Sequence, residues 1–250
     1  MMPVLELADV DLYYRSDGRG KPLVLVHHLA GSTLSWEFMI HDLASRFWVI
    51  TYDLRGHGKS SVPPSRYTIS DHAQDLKALL EYLGVKDPIL VGHSIGSLIT
   101  MEYALKNSVG RLVLVGALYK APDPIPYMRY MDIATRFGME ALAFYRRLNG
   151  EIPVKITESF SLWSRFLQIY RGTSVIGYIN TVRGLLEAPN YEPELEKLRD
   201  SALIYGSEDR LKANLDVFKR AGFRYFEIQG TGHFPNLESP EELLRILYSL

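Results

Sequence analysis

Leu90-Val91-Gly92-His93-Ser94-Ile95-Gly96 reads as a strand that breaks on a serine and restarts as a helix. Ile89 to Val91 is a short apolar run of the kind buried in a sheet. Leu98, Ile99, Met101, Tyr103 and Leu105 then fit a helix. So sharp a turn forces its apex residue, Ser94, into a strained backbone conformation. Gly92 and Gly96 flank it because a Cβ at either would strike the neighbouring strand or helix. The hydroxyl is left clear of the sheet. The Ile95 N–H, at the new helix start, points toward any oxygen above Ser94.

The rest of the chain supplies the sheet this turn needs. Val4–Leu7 and Val10–Tyr14 read as strands or a hairpin, with Gly18 and Gly20 marking a turn. Residues 23–26 form a continuous apolar strand, as expected where both faces are covered, and it ends in His27-His28-Leu29-Ala30-Gly31. Residues 48–52 are the next strand, running into Asp53-Leu54-Arg55-Gly56-His57-Gly58-Lys59-Ser60. Ser70 is expected to cap a helix through Leu83, and 111–115 is one more buried strand. Strand and helix alternate, which predicts a parallel sheet with helices on both faces and ligands beyond the carboxyl ends of its strands.

From about Tyr119 to Leu195 no strand signal appears. The stretch is helical and aromatic, with Phe160, Trp163, Leu167 and Tyr170 on one stripe. Most of these aromatics are expected to pack on one another, with a minority, Trp163 among them, facing a cavity over Ser94. Arg129, Arg136, Arg146, Arg147, Arg165 and Arg171 read as solvated helix faces, although they could bind an acidic substrate. Strands resume at 202–205 and 225–228. Ser239-Pro240-Glu241-Glu242 is expected to open a last helix through a capping box.

Composition narrows the function. The 250 residues carry a net charge of −1, so no basic field exists to hold nucleic acid or an anionic membrane. The absence of cysteine excludes disulfides, thiolate nucleophiles and Cys-bound metals. The first fourteen residues contain Glu6, Asp9 and Asp11 and lack the positive region of a secretory leader. The longest apolar stretch, 88–101, is broken by Gly92, His93 and Gly96. A cytoplasmic protein acting on a small molecule is expected. No cluster of His, Asp and Glu has metal-ligand spacing, and no phosphate or dinucleotide loop is present, so no cofactor is expected.

A serine hydroxyl is a weak nucleophile until a base takes its proton, and that base needs a third group to fix its tautomer. His233 follows the last strand in Gly230-Thr231-Gly232-His233-Phe234, where it can reach Ser94. Asp209 ends Gly206-Ser207-Glu208-Asp209, in the corresponding loop one strand earlier. His57 and His93 read as packing residues, and His41 and His72 as exposed helix residues.

The combination resembles the α/β-hydrolase fold superfamily in its serine-nucleophile branch. The resemblance spans nearly the whole chain and rests on residues 53–60, 92–96, 206–209 and 232–234 taken in order. It implies an eight-stranded, mostly parallel sheet with helices on both faces and a helical cap inserted after the sixth strand. The core would be residues 1–118 and 196–250, and the cap 119–195. It also implies an oxyanion hole made by the Ile95 and Leu29 N–H groups. Relatives carry His-Gly where this chain has His27-His28, so His28 stands at the mouth of the site, as a substrate contact or as a wall. Some relatives place the acid after the sixth strand, which makes Asp123 the rival of Asp209.

The expectation is a serine esterase that forms an acyl-enzyme on small to medium apolar carboxylic esters. The catalytic residues would be Ser94, Asp209 and His233, with Leu29 and Ile95 as the oxyanion hole and His28 and Trp163 as substrate contacts. Protonation of His233 would remove the base, so activity should fall at low pH. Lactones, N-terminal proline peptides and carbon–carbon bonds are rivals on the same chemistry. A ligand-binding receptor with little turnover is the rival of another class.

Overall fold

A computed structural model describes residues 3–250. Its elements run in chain order as β1 (Val4–Glu6), β2 (Asp11–Gly18), β3 (Lys21–Val26), α1 (Glu37–Ala44), β4 (Phe47–Tyr52), α2 (Ile69–Tyr82), β5 (Ile89–His93), α3 (Ile95–Ala104) and β6 (Arg111–Val115). Then come α4 (Pro124–Leu148), α5 (Val154–Glu158), α6 (Phe160–Arg171), α7 (Val175–Leu186), β7 (Ala202–Gly206), α8 (Leu215–Arg220), β8 (Arg224–Ile228), α9 (Pro235–Glu238) and α10 (Pro240–Ser249). The strands form one eight-stranded sheet in the order β1-β2-β4-β3-β5-β6-β7-β8. β2 pairs antiparallel with β1 and β4, and every other pairing is parallel.

The central strands are apolar on both faces, and alternate residues serve two cores. Val24, Ile50, Leu90 and Leu114 pack under α2 and α3, with Leu76 and Ile99. Leu23, Leu25, Val91 and Val113 pack on the other side, against Trp36 and Leu43 near and on α1 and Leu243 and Leu247 on α10. A third core lies outside the sheet. It joins α4 to α7 through Leu142, Phe166 and Tyr178 and reaches Ala30 and Phe234 in the sheet's loops.

Local signals were refined in two places. α2 is capped by Thr68, whose hydroxyl accepts the Asp71 N–H while Asp71 accepts the Thr68 N–H, so the cap lies two residues before the expected Ser70. α10 begins after Ser239, but its hydroxyl does not cap. It bonds the Thr231 hydroxyl at 2.7 Å and accepts from Lys155 at 3.0 Å instead. Four helices, α4 to α7, lie between β6 and β7, and α4 is broken at Gly138 (φ 86°). α7 meets the 53–67 loop backbone to backbone: a Cβ on Gly177 would lie 2.2 Å from the Gly56 carbonyl oxygen. One on Gly184 would lie 1.9 Å from that of Tyr67. No helix among the described residues is long and apolar enough to cross a membrane.

Candidate active site

Ser94 sits between β5 and α3 with φ 56° and ψ −119°, a backbone state that non-glycine residues rarely adopt. The two glycines make it possible. A Cβ on Gly92 would lie 2.3 Å from the Gly96 carbonyl oxygen, and one on Gly96 would lie 2.4 Å from that of Val26. The Ser94 N–H is held by Val115 at 2.9 Å, which ties the turn to β6. Ser97 stands one residue past Gly96. It donates to the Ser94 carbonyl at 2.6 Å and accepts the Leu118 N–H at 3.1 Å, so its hydroxyl braces the turn.

His233 and Asp209 meet across the carboxyl edge. His233 Nδ1–H donates to Asp209 Oδ2 at 2.9 Å, and Asp209 Oδ1 accepts the Leu211 N–H at 2.9 Å. Asp123 instead caps α4, accepting the Ile125 N–H at 3.1 Å. Asp209, His233 and Ser94 line one cavity of about 560 Å³. Among the described residues the Ser94 hydroxyl makes no hydrogen bond to the His233 ring. A contact of this kind commonly tightens only with substrate bound.

Several groups that sequence reasoning missed hold His233. The Gly232 and Phe234 N–H groups on either side of it donate to the two oxygens of Glu238, at 2.8 and 2.9 Å. Its carbonyl accepts from His93 Nε2–H at 2.7 Å. Gly116 (φ 53°) lies against the pair: a Cβ there would be 2.8 Å from His233 Cε1 and 3.0 Å from Asp209 Oδ2. Only the bare sequence His93-Ser94 hinted at any of this.

The loop after β3 is stapled by neutral imidazoles. His27 donates to the His28 carbonyl (2.7 Å) and accepts the Leu54 N–H (3.0 Å). His57 donates to the Arg55 carbonyl (3.1 Å) and accepts the Ala30 N–H (3.2 Å). His28 donates to the Leu29 carbonyl (2.9 Å) and accepts the Ser35 hydroxyl (3.1 Å). Each tautomer follows from its partners, because a carbonyl can only accept. Burial lowers all three: His57 to about 4, His28 to about 3 and His27 well below the ordinary value. His28 therefore lines the cavity with both ring nitrogens already committed, and it presents ring carbon rather than a free donor. The Leu29 and Ile95 N–H groups donate to no protein acceptor among the described residues.

Two expectations need correction. Trp163 does not line the cavity. It is buried between Phe144 and Phe166, with ring centroids 5.3 and 5.8 Å away, and the Arg147 guanidinium lies 4.7 Å over its ring. His72 is fully buried on α2, not exposed. The cavity wall from α4 to α7 mixes apolar residues, Pro126, Ile152 and Val154 among them, with polar groups. Tyr127, Tyr130, Tyr170 and Tyr178 line it with Arg146 and Glu151. Among the described residues no three His, Asp or Glu side chains are grouped to hold a metal ion.

Comparison with known proteins agrees with this architecture. Residues 21–147 match the family model described as alpha/beta hydrolase fold. The 3-oxoadipate enol-lactonase 2 of Acinetobacter baylyi is 24% identical over 95% of this chain and 91% of its own. A structure reported with carboxylesterases of the thaumarchaeon Nitrososphaera gargenis superposes with a TM-score of 0.88 at 27% identity. It covers 99% of this chain and 97% of its own. The bromoperoxidase of Bacillus anthracis gives 0.87 at 25% identity, over 100% and 98%. With a strained serine between strand and helix, and a family match covering half its length, the chain belongs to the alpha/beta hydrolase fold family.

Proposed function

We propose that the protein is a serine hydrolase of carboxylic esters, working through an acyl-enzyme with Ser94 as nucleophile, His233 as base and Asp209 as its orienting acid. The observation that carries the reading is the 2.9 Å His233–Asp209 pair facing the same cavity as the strained Ser94. Ser94 Oγ attacks the ester carbonyl carbon as His233 Nε2 takes its proton. The carbonyl oxygen becomes an oxyanion, held by the uncommitted Leu29 and Ile95 N–H groups; one such donor is worth roughly 2.7–4 kcal/mol in the transition state. The C–O bond breaks, and the alcohol leaves with the proton from His233. Water then repeats the sequence on the acyl-enzyme, releasing the acid and restoring Ser94. Residues 119–195 act as the cap of this site, since α4 to α7 supply much of its wall. A lactone is the second substrate class, supported by the likeness to an enol-lactonase, because the same attack opens a ring ester.

The test is Ser94→Ala in a panel of p-nitrophenyl esters together with labelling by an organophosphonate. Wild type should turn over and gain the mass of one phosphonyl group on the peptide bearing Ser94. The variant should lose on the order of a million-fold in kcat, the scale known for a serine protease nucleophile, and take no label. Labelling without turnover would favour a receptor.

A further inference from the structure

We infer that the cavity takes a substrate bearing a carboxylate or similar anionic group, received by Arg146 and Tyr178 on the wall built by the inserted helices. This rests on the serine-hydrolase reading of the same cavity and adds the charge of its substrate.

Arg146 differs from the arginines around it. Arg129, Arg136 and Arg171 are exposed, whereas Arg146 turns into the cavity. Its Nε donates to Glu151 Oε2 at 3.1 Å and its Nη1 to the Tyr170 hydroxyl at 2.6 Å. The guanidinium carbon lies 5.3 Å over the Tyr130 ring. Tyr130 in turn donates to the same Glu151 oxygen at 2.5 Å, so one carboxylate oxygen answers both. Nη2 has no partner among the described residues. Nor does the hydroxyl of Tyr178, a cavity-lining residue only 2% exposed.

A guanidinium stays protonated whatever surrounds it. Burial raises the Tyr178 phenol well above its ordinary pKa, so it too keeps its proton. What this corner offers is therefore donors. An apolar or cationic group placed against them would leave buried N–H and O–H groups unpaired, which costs more than the hydrogen bonds gain. A planar carboxylate matches the fork of an arginine and accepts from a phenol as well. The carboxylates elsewhere on the lining do not compete: Asp209 is committed to His233, Asp123 caps α4, and Glu208 is exposed.

The test uses two matched ester pairs: monomethyl glutarate with methyl pentanoate, and 4-carboxyphenyl acetate with phenyl acetate. The charge then sits on the acyl or on the alcohol side. Binding of glutarate and pentanoate to the full chain is followed in parallel by thermal shift. Wild type should favour the anionic member of at least one pair by about ten-fold or more in kcat/KM, chiefly through KM. Arg146→Gln should reduce that anionic-to-neutral ratio about ten- to hundred-fold, and Tyr178→Phe by less. Glu151→Gln should raise it, since it removes the competing carboxylate. If Arg146→Gln does not fold, the wild-type ratio and the other two variants decide. A ratio near one in wild type, or one that the variants leave unchanged, overturns the proposal. Neutral esters cleaved through Ser94 with no charge preference would sink the anion site and leave the hydrolase standing. Arg146-dependent stabilisation by glutarate without Ser94-dependent turnover would do the reverse.

Discussion

Gly116 contributes no side chain, and the Asp209–His233 pair occupies the space one would need. With φ 53° and a Cβ position 2.8 Å from His233 Cε1, alanine there is both strained and in collision. Gly116→Ala should push the imidazole off its line to Ser94 and lower kcat/KM by about a hundred-fold, the scale of an ångström misplacement. Circular dichroism should show the fold retained. That Ser94, Asp209 and His233 meet at one cavity was legible in the sequence because each carries a local signature, a glycine-flanked turn or a short loop after a strand. Gly116, Glu238 and Arg146 were not. Gly116 acts on residues far away in the chain, Arg146 reads no differently from the other arginines of its run, and Glu238 acts across a turn whose shape the residue order does not reveal. His93 was adjacent to Ser94, yet its partner is the carbonyl of His233, 140 residues on.

Element by element, the strands were legible because continuous apolar runs fit a sheet covered on both faces. The helices between β6 and β7 were legible as helices, but not in what they touch. A stripe such as Trp163, Leu167 and Tyr170 tells which face is buried and says nothing of the neighbour; Trp163 went to the helices' own core and Tyr170 to the cavity. Phe160, on the same expected stripe, is 88% exposed. The attachment of α7 to the 53–67 loop depends on glycine as strictly as the serine turn does. Gly177→Ala places a methyl 2.2 Å from the Gly56 carbonyl oxygen and should cost about 1–3 kcal/mol, as overpacking does. A lower urea midpoint with an unchanged slope would measure it.

Over the whole molecule, five histidines, His27, His28, His57, His72 and His93, are buried and held below their ordinary pKa, chiefly by desolvation. In the unfolded chain they take up protons near the ordinary value of 6.5, and in the folded chain only at lower pH. Protons therefore favour the unfolded state across that interval. The stability the neutral rings provide is complete above about pH 6.5 and lost as the pH falls toward the folded values, about 4 for His57 and 3 for His28. Buried Asp53, Asp75 and Glu238 are raised by burial and oppose this further into acid. Melting temperature should thus drop between pH 6.5 and 5, and His57→Gln should flatten that slope; equal slopes in both proteins would refute the assignment. The placement of the cavity wall has a consequence of its own. Ser94, Asp209 and His233 hang from the sheet, while Arg146 and the four tyrosines come from one uninterrupted run between β6 and β7. On the proposed reading, selectivity can drift, or be exchanged wholesale by grafting that run from a cousin, while Ser94, Asp209 and His233 stay where they are.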